Sequence, residues 1–147
     1  FDTPAHDAPI AHKMANLIIS KGFIYLDEVW GVEQNIAYPN EYAGTMDCVG
    51  VFRKKPTILD FKQTNKPKRE EWVEDYYLQL TAYICAHEKQ YGKIDGGTIL
   101  MASTGLVFQE FELSGSKLDE YKDKWWKRVE EFKTNHAQPH QESLQKV

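Results

Sequence analysis

Asp60 and Lys62 stand two residues apart in Thr57-Ile58-Leu59-Asp60-Phe61-Lys62-Gln63, a run whose apolar residues predict a strand. On a strand, side chains two apart leave the same face, roughly 7 Å apart along the chain. Leu59 and Phe61 then turn to the opposite face and belong to the core. An acid, any residue and a lysine also occur at Glu120-Tyr121-Lys122 and Glu131-Phe132-Lys133. Both of those copies fall on an amphipathic helical pattern, where a solvated face explains them. Only the Asp60 copy follows an apolar β-run, where a charged pair is costly unless it has a partner or a use.

Asp47 supplies a second carboxylate from the preceding strand, after Gly44-Thr45-Met46. A hairpin between the two strands can set it beside Asp60. Two carboxylates at close range in a half-buried site repel, and one keeps its proton at neutral pH unless a cation intervenes. All-oxygen ligation with positions left for water and phosphate suits Mg2+ or Mn2+ rather than zinc. Glu33, one strand earlier, reads equally as a third metal-binding acid or as a surface glutamate, because its register is open. Gln79 and Tyr83 are four apart on a predicted helix and share a face. A glutamine there can bond a phosphate or orient a catalytic group, and a tyrosine can bond or stack. As an isolated pair they would read as lining the boundary between core and surface.

The elements that must position these residues follow from periodicity. Ala8 to Ser20 has helical spacing. Glu28 to Tyr38, Tyr42 to Phe52 and Thr57 to Gln63 read as strands, the last two joined by an Arg53-Lys54-Lys55-Pro56 turn. Glu70 to Tyr91 is the strongest helix signal, with acids in its first turn and Gly92 at its end. Its stripe is Trp72, Tyr76, Gln79, Leu80, Tyr83, Ile84 and His87. Gly97 to Ala102 and Leu106 to Leu113 make a second hairpin. Lys117 to Lys133 is an amphipathic helix with Leu118, Tyr121, Trp125, Val129 and Phe132 toward the core. Helix, three strands, helix, two strands, helix is an α+β arrangement, a mixed sheet flanked by helices. It forms one domain over residues 1–134, and residues 135–147 are a polar, flexible tail.

The chain has 147 residues and a net charge of -4, which argues mildly against nucleic acid as a partner, but the distribution matters more than the sum. Arg53, Lys54, Lys55, Lys62, Lys66, Lys68 and Arg69 crowd one stretch against a single acid, Asp60. That suits a phosphate-binding cleft, although surface lysines on a solvated loop are the ordinary alternative. Cys48 and Cys85 are the only cysteines. They read as small buried residues, exclude an iron–sulfur cluster or a four-thiolate zinc site, and fit a reducing compartment. His6, His12, His136 and His140 are too scattered for a metal site. No apolar run is long enough to span a membrane.

Gly44-Thr45-Met46-Asp47, Ile58-Leu59-Asp60-Phe61-Lys62-Gln63-Thr64 and Gln79-Leu80-Thr81-Ala82-Tyr83, in that order, resemble the RecB-like branch of the PD-(D/E)XK nucleases. The last segment matches that branch's Gln-x-x-x-Tyr motif. The likeness runs from about Glu33 to Phe132 and is closest to the mitochondrial genome maintenance exonuclease family and its phage and bacterial relatives. Lys66-Pro67-Lys68 and Trp125 to Phe132 also look like that family.

The resemblance implies a restriction-endonuclease-like fold and a magnesium-dependent deoxyribonuclease. Asp47, Asp60 and the Phe61 backbone carbonyl would hold the metal. Lys62 would orient the attacking water, and Gln79 and Tyr83 would hold the strand. Lys54, Lys55, Lys66, Lys68 and Arg69 would contact the DNA backbone, and Trp72 or Tyr76 would stack on an unpaired base. Singly, each of those two aromatics reads more simply as core. The expected substrate is single-stranded DNA with a free end, and the expected setting is a bacterial or phage-infected cytoplasm, with the mitochondrion as the alternative. Another nuclease of the same fold, an endonuclease or resolvase, remains open. So does an inactive nucleic-acid-binding module, although Asp47, Asp60 and Lys62 all stand. RecB-like nucleases carry a histidine on an N-terminal helix. His12 is poorly placed for it, which suggests a helix upstream of Phe1.

Overall fold

The computed structural model describes residues 8–136. Helix α1 is Ala8–Lys21, and a 3-10 turn over Phe23–Tyr25 leads into β1, Leu26–Tyr38. Strands β2 (Tyr42–Phe52) and β3 (Lys55–Thr64) follow, then a 3-10 turn at Glu70–Trp72 and helix α2, Glu74–Gln90. Strands β4 (Gly96–Ser103) and β5 (Phe108–Ser114) precede helix α3, Gly115–His136. The five strands lie in sequence order in one sheet. All neighbours are antiparallel except β3 and β4, which are parallel and are joined through α2. A parallel pair needs such a crossover because a tight turn cannot reverse the chain twice. The expected α+β fold, a mixed sheet flanked by helices, is therefore the observed one. Its C-terminal helix extends through Asn135 and His136, past the point where a flexible tail was expected. The rest of that tail, including His140, lies outside the described residues, as does His6.

Strand alternation divides the core in two. Ile58, Ile99, Met101 and Leu113 pack under α2 and α3 with Leu80, Ile84, Leu118 and Trp125. Cys48, Leu59, Leu100 and Ala102 pack on the other face with Met14 and Ile18 of α1. Both cysteines are buried and free. Leu59 is fully buried and Phe61 is partly buried on the α1 side. Asp60 and Lys62 are thereby left to the α2 side.

Two boundaries differ from expectation. The β2–β3 connection is Arg53-Lys54 alone, both residues in the left-handed region at φ 50° and 69°. Lys55 and Pro56 already pair with Phe52 and Val51. Two-residue hairpin turns want this backbone and usually advertise it with Asn-Gly. Here the Lys54 amide donates to Asp27 Oδ2 at 2.9 Å, a distant contact that the local sequence does not announce. The long helix is also interrupted. Val73 is fully buried and sits at φ -106°, ψ 17°, so packing bends the chain between the Glu70–Trp72 turn and α2.

Candidate active site

Alternation along β2 breaks at Asp47. Met46 packs on the α2 side and Cys48 on the α1 side, although residues two apart on a regular strand share a face. The β2–β3 ladder ends at Cys48 and Leu59. Just past that end the Phe61 amide donates to Asp47 Oδ2 at 2.9 Å. Asp47 thus ties β2 to β3 beyond the ladder through its carboxylate. Such irregularities let a strand re-aim a side chain. This one brings the Asp47 carboxyl within hydrogen-bonding reach of the Asp60 carboxyl.

Asp60 is buried at 6% exposure. Burial first, then the Asp47 carboxyl, raises its pKa from 3.8 to about 7, while the Lys62 ammonium pulls the other way. Lys62 Nζ forms an ion pair with Asp60 Oδ2 at 3.2 Å, although no well-aligned hydrogen bond reaches that buried oxygen. The same ammonium sits 4.8 Å from the centre of the Tyr76 ring. Tyr76, one of the two aromatics that the resemblance offered for base stacking, thus lies against Lys62 in a cation–π contact.

Helix α2 closes the site. Tyr76, Gln79 and Tyr83 are three and four apart and so lie on one face. Burial foremost, then the nearby Asp60 carboxyl, raises the Tyr83 hydroxyl's pKa, while a hydrogen bond with Gln79 opposes the rise. The phenol therefore stays protonated and can donate at neutral pH. Its ring rests on Gly44, where an added Cβ would come within 2.8 Å of Cε1. Gly44 therefore serves the same site as Asp47, three residues on.

The remaining predicted residues divide by location. Lys66, Lys68 and Arg69 follow β3 at the Lys62 end. Their loop is pinned to β5, where the Lys68 amide donates to Gln109 Oε1 at 2.9 Å and Gln109 Nε2 donates back to the Lys68 carbonyl at 2.7 Å. Trp72 is 59% exposed, not part of the core, with the Arg69 guanidinium 5.2 Å from its ring centre. Lys54 and Lys55 sit at the opposite end of β3, roughly 17 Å or more from Asp60 along the strand. Lys54 pairs with Asp27 at 3.5 Å and Arg53 with Glu110 at 2.9 Å. The geometry does not bring this part of the basic stretch to the site. Glu33 is exposed, at φ 50° on β1, and among the described residues no three His, Cys, Asp or Glu side chains cluster as a metal set. Glu33 therefore does not join the pair.

The donor set nonetheless fits a hard cation. Two carboxyls meet: that of Asp60 is raised toward neutrality and keeps a buried oxygen without a hydrogen bond, that of Asp47 accepts the Phe61 amide at one oxygen, and among the described residues no His or Cys completes a set with them. Magnesium keeps several waters and takes only one or two carboxylates from protein, so two acids suffice.

A mixed sheet flanked by helices, with carboxyls on adjacent strands beside a strand lysine and a Gln-x-x-x-Tyr helix, bears out the resemblance to the PD-(D/E)XK nucleases drawn from the motifs. No family model matches the chain. It is 31% identical over 100 residues to mitochondrial genome maintenance exonuclease 1 of Xenopus tropicalis, covering 63% of this chain and 28% of the relative. It is 30% identical over 96 residues to the Homo sapiens protein of that name, covering 62% of this chain and 28% of that one. The chain thus spans less than a third of the length of these relatives. A crystal structure from Eubacterium rectale, named as a candidate exonuclease, superposes with a TM-score of 0.64 at 14% identity. That match covers 90% of this chain and 56% of the other, and it bears on the fold alone.

Proposed function

We propose that this chain is a metal-dependent deoxyribonuclease that hydrolyses phosphodiester bonds, acting as an exonuclease on single-stranded DNA ends. The observation that carries this reading is the meeting of the Asp47 and Asp60 carboxyls beside Lys62. The likeness to proteins named exonucleases adds to it. Asp47, Asp60 and the Phe61 carbonyl would hold magnesium or manganese, which when bound lowers the pKa of a water and offsets charge building on the phosphate. Lys62, supported by Tyr76 and drawn to Asp60, presents a positive charge where the attacking water and the phosphate oxygens meet. Tyr83 donates from its hydroxyl and Gln79 from its amide, which suits them to fixing a phosphate. Lys66, Lys68 and Arg69 offer cations to the adjoining backbone, and exposed Trp72 a face on which an unpaired base can stack. A mitochondrial setting fits the name of the curated relatives. No described helix is long and apolar enough to cross a membrane.

End-labelled single-stranded DNA, incubated with the protein and magnesium, should lose its label. EDTA should stop the loss, and Lys62→Ala should slow it on the order of a hundredfold or more. Undiminished degradation by Lys62→Ala would count against the assignment. A circular single strand should survive, and its rapid cutting would favour an endonuclease on the same fold.

A further inference from the structure

Next to the carboxylate pair lies a hollow of about 340 Å³ that the proposed chemistry does not use, walled by Trp30, Gln34 and Asn35 of β1 and by His87 and Tyr91 at the end of α2. Met46, which precedes Asp47, forms part of its floor. His87 follows Tyr83 by one turn of α2, about 6 Å along the axis. The hollow and the carboxylate pair are therefore neighbours under the same helix.

The lining combines aromatic and amide side chains with Gly31 and the aliphatic Met46 and Val49, without a lysine or arginine. Glu28 and Glu33 share the β1 segment, so the local field disfavours a phosphate. Trp30 and Tyr91 are 48% and 69% exposed, large apolar surface that a stacked ring would cover. The indole is fixed by its N–H donating to Glu28 Oε1 at 3.0 Å. Thr45 Oγ1 donates to Asn35 Oδ1 at 2.9 Å, leaving the Asn35 amide N–H groups to donate elsewhere. Gln34 Nε2 donates to the Val32 carbonyl at 3.2 Å, leaving its own oxygen to accept. An added Cβ at Gly31 would come within 2.7 Å of Gln34 Cγ, so the glycine seats that side chain. Flat faces with one fixed donor and one fixed acceptor complement the edge and face of a nucleobase.

We propose that this hollow is a subsite for one unpaired base of the strand whose phosphate lies at Asp47 and Asp60. The proposal rests on the nuclease reading. It assigns the backbone to the basic loop after β3 and a base to the β1–α2 hollow, on either side of the carboxylates.

Anisotropy of a labelled single-stranded oligonucleotide in EDTA, set against an abasic strand of equal length, tests it. Trp30→Ala with Tyr91→Ala should weaken binding of the base-bearing strand roughly tenfold and leave the abasic strand's binding unchanged. Trp30→Phe with native Tyr91 should restore most of the loss, which a damaged fold would not allow. An equal loss for both strands, or no loss for either, would overturn the subsite. Magnesium-dependent degradation by the wild type, measured separately, would still uphold the nuclease reading. If the wild type neither bound nor degraded either strand, both proposals would fall together.

Discussion

A buried acid that must share its space with another acid is an unstable arrangement, and Asp60 carries the consequence. The group's pKa is raised from 3.8 to about 7, so between those pH values the folded chain keeps a proton that the unfolded chain has released. Stability follows the difference in protons bound. This group therefore costs nothing below about pH 4, costs more as pH climbs toward 7, and costs a constant amount above that. Asp60→Asn removes the titration. In metal-free protein its melting temperature should match the wild type near pH 4 and exceed it increasingly up to pH 7. Magnesium should narrow the gap by stabilising only the wild type. A gap that stays constant across pH would mean that Asp60 is ordinary. Residue type and spacing single out Asp47, Asp60 and Lys62, whereas Gln79 and Tyr83 stand out only through the motif resemblance; the fold brings all five together. The role of Tyr76 beneath Lys62 was not legible, since an aromatic at helical spacing looks the same whether it packs, stacks on a base or cradles an ammonium.

Between elements, the site depends on how closely α2 approaches β2, and Gly44 sets that distance. An alanine there places its Cβ 2.8 Å from Tyr83 Cε1, and Tyr83, only 7% exposed, has little room to retreat. Gly44→Ala should destabilise the fold by about 1–3 kcal/mol, as overpacking does. It should also slow magnesium-dependent cleavage by more than that loss explains, because the phenol moves off its position. Urea denaturation and a turnover assay at a temperature where the variant is fully folded separate the two effects. Turnover equal to wild type under those conditions would remove Tyr83 from the site. Element identities were readable from periodicity throughout. Boundaries were less so where tertiary contacts decide them: the Arg53-Lys54 turn is held by Asp27 from another strand, and buried Val73 interrupts the helix that Glu70 appeared to start. The broken alternation at Asp47 had no signal, because Gly44 to Phe52 reads as an uninterrupted strand.

Across the whole molecule, an overall charge of -4 must be reconciled with the polyanionic substrate proposed above, and the separation of the basic residues by the fold offers a way. What is one basic stretch in sequence, Arg53 to Arg69, is divided by β3 into two ends. The hairpin end faces Asp27 and Glu110, which occupy Lys54 and Arg53. The other end carries Lys66, Lys68 and Arg69 beside Lys62 and exposed Trp72. Proximity in sequence overstated the cluster, since a strand carries its two ends apart. Binding of a single strand releases roughly 0.7 counterions for each phosphate neutralised, and the slope of log affinity against log salt counts them. Lys66→Ala with Lys68→Ala should therefore reduce that slope by roughly 1.4. Lys54→Ala with Lys55→Ala should leave it unchanged, despite removing the same charge. If both pairs lowered the slope equally, the strand would contact both ends of β3, and the path from the basic loop past the carboxylates to the β1–α2 hollow would have to be redrawn.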